Sequence, residues 1–539
     1  MTKPSLRKIA DIENRIIGEH KEKYVFRKEN GSMGEIVVSP ADARKLHTFT
    51  TKLQNCGALL PPDPKTFIQQ ATTREPRKRL VQERRTGWLA DQSGFVLADG
   101  FIGRSAENIC GIATPEKFGT QGQVSRAGTV EAWKNSVGLV AAYSSTAITG
   151  ICAAFAAPLL HFKRARSFGI CFSGNSASGK TTAICAAASV IGLRSPEYLF
   201  SWNLTKAQLE QRLSQFNDCL FPIDDLQVIE GDDEQRYQRM HHLAYAIAQG
   251  HTKGRHSSYV VDRIGDGSWR SVLITSSEVS IHSLATATGK SRAQGTTHRL
   301  IDVPVSTCAA GQIFDMKSEA KNEGWRKQQF RRLYRGCEDN HGAPFERYIE
   351  RLISFSNQRD AFIDSRIEYF MGKVDCGTSL LQSLAKSFAF LYAGGMLAKK
   401  FGIVNWKQKT ILKALIKNFN AAADLMPPSP AAIRLKGKKK LKVTLQNLPR
   451  QSQWLDSPSS AIGLRLPGKE AAYLVTREGL NMMFDTLQQK NLVIEWLKKT
   501  KRLQMSSPKN GGSSRVKDQF VWPDGSRRRS YTIYWVRKA

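Results

Sequence analysis

Acidic residues are scarce in this chain. Asp and Glu number 47 against 80 Lys and Arg, a net charge of +33 over 539 residues. The excess is spread along the sequence rather than gathered in one tail. Such a chain points to a polyanionic partner, nucleic acid or an anionic membrane, unless its cations only form solvated faces. Paired cysteines are missing as well. The nine cysteines are scattered and no two form C-x-x-C. Neither a zinc site nor a disulfide framework is supported, and a reducing cytoplasm is the expected compartment. Met1 to Lys8 leads into charged sequence without an apolar stretch, so no signal peptide is expected. Long apolar runs are also lacking. The stretch from Asn135 to Phe162 has no Asp, Glu, Lys or Arg and exceeds the roughly 20 residues of a membrane span. Ala, Gly, Ser and Thr dominate it, which is weakly hydrophobic on insertion scales. It reads as a buried packing helix ending near Pro158, with no membrane association.

What is present centres on Phe168-Gly-Ile-Cys-Phe-Ser-Gly-Asn-Ser-Ala-Ser-Gly-Lys-Thr-Thr182. Gly174 to Thr181 matches G-x-x-x-x-G-K-[ST], a loop that binds polyphosphate. Gly174 and Gly179 let the backbone turn its N–H groups inward over Asn175, Ser176, Ala177 and Ser178. Lys180 is suited to the β- and γ-phosphates of ATP, the Thr181 hydroxyl to Mg²⁺, and Thr182 completes the cradle. Phe168–Phe172 is apolar, as a buried parallel strand reads. Thr181 to Ile191 is Ala-rich and closed by Gly192, a helix with its stop. The alternative is an ordinary Gly/Ser-rich turn.

The segment continues in keeping. Tyr198 to Trp202 is a second strand and Thr205 to Phe216 a polar helix. Cys219-Leu-Phe-Pro-Ile-Asp-Asp225 is an apolar run that delivers two carboxylates to a strand end. Asp224 is the expected Mg²⁺ ligand, and Asp225 stands where ATPases usually carry a water-activating glutamate. Aspartate is one methylene shorter. The competing reading is a helix N-cap or turn. Trp269 to Thr275 is a third strand, at whose tip Thr275 or Ser276 is placed to meet a γ-phosphate, unless Ser276 caps the next helix. Ser258 to Trp269 reads as a β-hairpin turning at Gly265 to Gly267. Basic residues around it, Lys253, Arg255 and Arg263, are candidates to contact DNA in a central pore. Arg299, just before a last strand Leu300 to Val305, suits a transition-state finger given to a neighbouring subunit, or else a surface salt bridge.

On these residues a resemblance can be stated. Gly174 to Thr182, Trp202 with Thr205 and Glu210, Asp224-Asp225, Gly250 to Arg255, Trp269 to Glu278 and Gln294-Gly295 with Arg299 resemble the bacterial family of domain of unknown function 927. The resemblance runs from Gly87-Trp88 through Ala156–Leu160 to Phe388–Ala398 and Phe401–Trp406. Members look like AAA+ helicases and primase-helicases of prophages, plasmids and integrating elements, including cassette-chromosome replication initiators. The resemblance implies a ring, hexameric by expectation, that unwinds DNA with ATP. Two departures stand out: Ser276-Ser277-Glu278 replaces a family Ser-x-Gly-Glu, and Asp225 replaces glutamate.

The flanks are less informative. Before Arg85, Tyr24-Val-Phe26 and Glu35–Val38 read as strands and Ala41 to Gln54 as a helix. Arg74 to Arg85 reads as a solvated basic linker or a phosphate-contacting arm. Gly87–Leu89 and Phe95–Leu97 read as short strands. Ala310 to Asp424 is helical, with Gly394-Gly395 allowing close approach of a neighbour. Pro427, Pro428 and Pro430 break the chain before the run Lys436 to Lys442. A basic helix Asn491 to Arg502 precedes a hairpin of Phe520–Trp522 and Tyr531–Trp535, whose turn carries Arg527, Arg528 and Arg529. This resembles a winged helix with its arginines on DNA, or a solvated hairpin.

The expected architecture is α/β. An α+β region (1–125) precedes a P-loop, AAA+-like core with a parallel sheet (126–310). A helical lid or packing domain (311–430) and a basic winged-helix-like DNA-binding module (431–539) follow. The expected activity is an ATP- and Mg²⁺-dependent DNA helicase of a mobile element, acting as a cytoplasmic homo-oligomer. The rivals are an ATP-switched DNA-binding initiator or regulator with little hydrolysis, favoured by Asp225, and a structural DNA-packaging or interaction protein with a vestigial loop.

Overall fold

The computed structural model describes residues 3–14, 19–75, 78–83, 85–105, 108–112, 122–229, 231–251, 267–290, 292–305, 312–426, 430–453, 462–467, 472–504, 519–523 and 527–534. The chain divides into two compact units, Met1–Met426 and Pro427–Ala539.

The first unit opens with a five-stranded sheet in the order Met33–Val38, Glu19–Arg27, Leu6–Asn14, Lys78–Glu83, Ile109–Ile112. Leu6–Asn14 is rich in charge, yet Ala10 and Ile12 alternate into the core while Lys8 is buried against Glu22 at 2.7 Å. Lys78–Glu83 pairs in parallel with Leu6–Asn14, so this part of the basic stretch is sheet and not the linker expected of it. Its single well-buried side chain, Val81, gave too little pattern to be read. Arg77 and Arg84 lie outside the described residues. The helix expected over 41–54 is two, Pro40–Arg44 and Leu46–Asn55, divided where Lys45 turns extended.

The central sheet of this unit has five parallel strands in the order Phe200–Ser201, Leu220–Asp224, Val272–Ser277, Phe168–Ser173, Leu300–Pro304. Parallel strands covered on both faces read as unbroken apolar runs, and Phe168–Ser173 is buried at every position. The uncharged stretch after Asn135 is not one helix. A π-turn over Lys134–Gly138 and a break at 142–144 precede a new helix, Ser145–Ala156, whose N-cap Ser144 accepts from the Ala147 N–H. All twelve of its residues are buried. It packs against Lys180–Val190 on one side and Ser379–Lys400 on another. Among the described residues no helix is long and apolar enough to cross a membrane.

The helices Glu323–Asp339, Ala343–Ser354, Ser356–Met371, Ser379–Lys400 and Gln408–Asp424 complete the first unit. The second unit has its own core, built from Leu441, Leu445, Tyr473, Val475, Val493, Leu497 and Ile533. Its helices are Pro430–Gln446, Arg477–Met482 and Leu487–Lys499. Its sheet runs Gly463–Arg465, Ala472–Thr476, Arg527–Tyr534, Leu503–Gln504, with Gln519–Val521 paired to Arg527–Tyr534. Arg527, Arg528 and Arg529 are therefore strand residues opposite Val521, Phe520 and Gln519, not turn residues. Backbone pairing extends the hairpin further toward its tip than the turn-like Pro-Asp-Gly-Ser suggests.

Close helix packing depends on Gly394. A Cβ there would stand 2.7 Å from the Ala156 nitrogen and 2.8 Å from the Phe155 carbonyl carbon, both backbone. Gly394→Ala gains about 1 kcal/mol of helix propensity but must push a helix away, at a cost of about 1–3 kcal/mol or more. A net loss of stability is expected in urea unfolding; a stabilised variant would refute the close packing.

Candidate functional site

The strand Phe168–Ser173 releases the chain into a loop that takes left-handed φ at Gly174 (152°), Ala177 (57°) and Gly179 (93°). The helix Lys180–Val190 starts at once, and its N-cap Gly179 offers no side-chain acceptor. First-turn N–H groups are thereby left without a side-chain cap, which favours an anion at that end. Lys180 is 7% exposed. Its Nζ donates to the carbonyls of Gly174 and Asn175, both at 2.8 Å, and more weakly to Ser178 Oγ at 3.5 Å. Burial lowers its pKa below the usual lysine value, while Glu278, Asp225 and Asp224 act in the opposite sense.

The strand Leu220–Asp224 brings Asp224 to the same edge of the sheet, two strands away from the loop strand. Between them lies Val272–Ser277. It pairs with both, Pro222 opposite Ile274 and Phe172 opposite Ser276. Ser276 Oγ donates to Asp224 Oδ1 at 2.6 Å. Asp225 follows in the left-handed region, φ 55°. A cleft of about 340 Å³ results, within the range of small-ligand sites. Ser176 to Thr182 line one side, Asp225, Ser276 and Glu278 another, and Phe330 and Tyr334 a third.

The structure thus gathers Lys180, Thr181, Asp225 and Ser276 around one space, with Asp224 hydrogen-bonded behind Ser276. Gly174 and Asn175 meet Lys180 through their carbonyls and do not line the cleft. Thr275 does not join them. Successive strand residues point to opposite faces, and the fully buried Thr275 hydroxyl accepts from Trp202 Nε1 at 2.8 Å. Its expected phosphate contact is corrected to a core hydrogen bond. Of the capping and turn alternatives, Ser280 and not Ser276 caps Ile281–Ala287, whereas Asp225 does stand at a turn, its carbonyl accepting from Val228 N at 3.3 Å as Leu226–Val228 begins. Arg299 stands at the opposite sheet edge, its carbonyl accepting from Gly169 N at 2.7 Å. Its guanidinium lies 4.5 Å from the Tyr245 ring centroid and donates to the Gly295 carbonyl, so it does not enter this cleft. Lys253, Arg255 and Arg263 lie outside the described residues, with most of the hairpin expected over 258–269.

Three lining residues have no role in the sequence reading: Glu278, Phe330 and Tyr334. Glu278 sits in the motif Ser276-Ser277-Glu278 and was within reach of that resemblance. Phe330 and Tyr334 lie about 150 positions beyond the loop, on a helix of the segment read as a lid or packing domain, and local pattern carries no signal that singles them out within it.

The two adjacent hydroxyls separate experimentally. Thr275→Val leaves a buried indole N–H unpaired and is expected to cost about 1–3 kcal/mol. Ser276→Ala leaves Asp224 within reach of water and is expected to cost about 1 kcal/mol or less. Urea unfolding followed by tryptophan fluorescence reads both, and equal losses would contradict the opposed orientation.

No curated protein matches the chain. Among solved structures it is similar to one described as "SCCmec type IV Cch - active helicase", with a TM-score of 0.57 and 17% identity over 99% of this chain and 94% of that one. At this identity the likeness is one of fold. Residues 7–259, less than half of the chain, match the family model "Domain of unknown function (DUF927)"; the match takes in the loop Gly174 to Thr182 and Asp224-Asp225 and ends before Trp269–Glu278, Gln294-Gly295 and Phe388–Trp406.

Proposed function

We propose that the protein is an ATP-driven DNA helicase or translocase of a mobile genetic element. The observation that carries this is the cleft in which Lys180, Thr181, Asp225 and Ser276 face one space beside an uncapped helix start. The fold likeness to a chain described as an active helicase and the net charge of +33 support the DNA-directed part. In this reading 126–310 is a P-loop, AAA+-like core, 311–430 its lid, and 431–539 a winged-helix-like DNA-binding module. The N-terminal region 1–125 has no assigned chemistry. The protein works in the cytoplasm as a ring, with Arg299 serving a neighbour's cleft.

The donor set fits Mg²⁺: the Thr181 hydroxyl and the Asp224 carboxylate are hard oxygen ligands. The ion would offset charge on the triphosphate. Lys180 binds the β- and γ-phosphates, and the loop N–H groups orient them. Ser276 holds Asp224 in one orientation. Asp225 positions a water and takes its proton as the water oxygen bonds to the γ-phosphorus and the β–γ bridging bond breaks, releasing ADP and phosphate.

A second reading, an ATP-switched DNA-binding initiator with little hydrolysis, is favoured by the short Asp225 side chain. ATPase assays with and without DNA, together with fork unwinding, decide. Wild type is expected to hydrolyse ATP and unwind, Lys180→Ala to lose nucleotide binding, and Asp225→Asn to bind ATP but turn over about 10²–10⁴-fold more slowly. Wild-type turnover no faster than that of Asp225→Asn would give the site to the switch.

A further inference from the structure

One wall of the cleft is aromatic. Phe330 and Tyr334 are four residues apart on the helix Glu323–Asp339, hence on one face. Both are half-buried and both line the cleft. Phe330 is braced by Phe314, ring centroids 4.8 Å apart, and Phe314 meets Trp325 edge-on at 5.7 Å. A Cβ on Gly179 would fall 2.5 Å from the Phe330 ring, so the ring lies close against the phosphate-binding backbone. Tyr334 is tethered on the same side, its hydroxyl accepting from Thr182 Oγ1 at 3.1 Å. Its helix packs along Lys180–Val190.

Phosphate oxygens gain nothing from such a wall, because an aromatic ring presents a negative face. A flat apolar group carried by the same ligand does gain, by stacking. We propose that Phe330 is the stacking platform for the base of a nucleoside triphosphate, with Tyr334 held by Thr182 at the sugar end. The assignment rests on the nucleotide reading above and names the part of the ligand which that reading leaves unplaced. The base sits where helix Glu323–Asp339 closes on the loop, so that helix senses whether a nucleoside, and not merely a phosphate chain, is present.

The test compares Mg²⁺–ATP with Mg²⁺–tripolyphosphate, measured by calorimetry on the full chain. Phe330→Ala is expected to weaken ATP binding roughly ten- to a hundred-fold and to leave tripolyphosphate within about twofold, since no base is there to stack. Phe330→Leu keeps apolar bulk over Gly179 and is expected to show the same selective loss, which separates stacking from collapse of the loop. Unchanged ATP affinity, or ATP and tripolyphosphate weakened alike in both variants, overturns the stacking role. Lys180→Ala is the control for the site itself. If it alters the binding of neither ligand, the nucleotide cleft is wrong and the platform falls with it; if it weakens both while Phe330→Leu weakens ATP alone, both assignments hold.

Discussion

The spacing of the site is set by one strand. Val272–Ser277 hydrogen-bonds on one side to the strand that ends in the loop and on the other to the strand that ends in Asp224. Neighbouring strands lie about 4.8 Å apart, so the loop strand and the carboxylate strand are held about 10 Å apart. Neither a lysine nor an aspartate spans that gap alone. The Ser276 hydroxyl lies between and binds Asp224, while the Ser277 carbonyl accepts from Gly174 N at 3.1 Å. All five strands run parallel. Their carboxyl ends therefore share one edge, where open α/β sheets place their ligands.

The sequence disclosed this part of the molecule because its signals are local. A buried parallel strand is an apolar run, and a loop with left-handed turns needs glycine at Gly174 and Gly179; both can be read within fifteen residues. What could not be read depends on pairing over distance. Thr275 and Ser276 are equivalent as letters, and only the register against Leu220–Asp224 turns one to Trp202 and the other to Asp224. Phe330 reads as one apolar position on an amphipathic helix, and nothing near it says that it will rest against Gly179. The strand Leu6–Asn14 was missed because charged residues mask a two-residue period. The break at 142–144 was missed because Ser144 reads equally as helix interior or cap.

Asp225 illustrates a backbone constraint acting on chemistry. It sits at φ 55°, a region that costs most side chains energy but is several-fold enriched in aspartate and asparagine. The chain must turn sharply here, because Leu220–Asp224 ends and a short helical turn, Leu226–Val228, begins at once. A glutamate at this φ would gain reach toward the cleft and lose backbone fit. The shorter acid can therefore reflect the turn as much as the reaction.

Charge closes the argument. Lys180 lies in the field of three carboxylates, those of Glu278, Asp225 and Asp224, each of which favours its protonated form. The helix start contributes about half a positive charge. Against three negative charges the edge remains about 1.5 charges negative with every group ionised. A bare triphosphate would be repelled by such an edge. In the proposed function it is an acceptable occupant when it arrives with a divalent cation, for which the Thr181 hydroxyl and the Asp224 carboxylate are suited donors. The third proton of Lys180, directed at Ser178 Oγ across 3.5 Å, is the one poorly used donor of that ammonium. It can turn to a phosphate oxygen without giving up either loop carbonyl. On the proposed reading, loop shape and phosphate grip are thus served by different protons of one side chain.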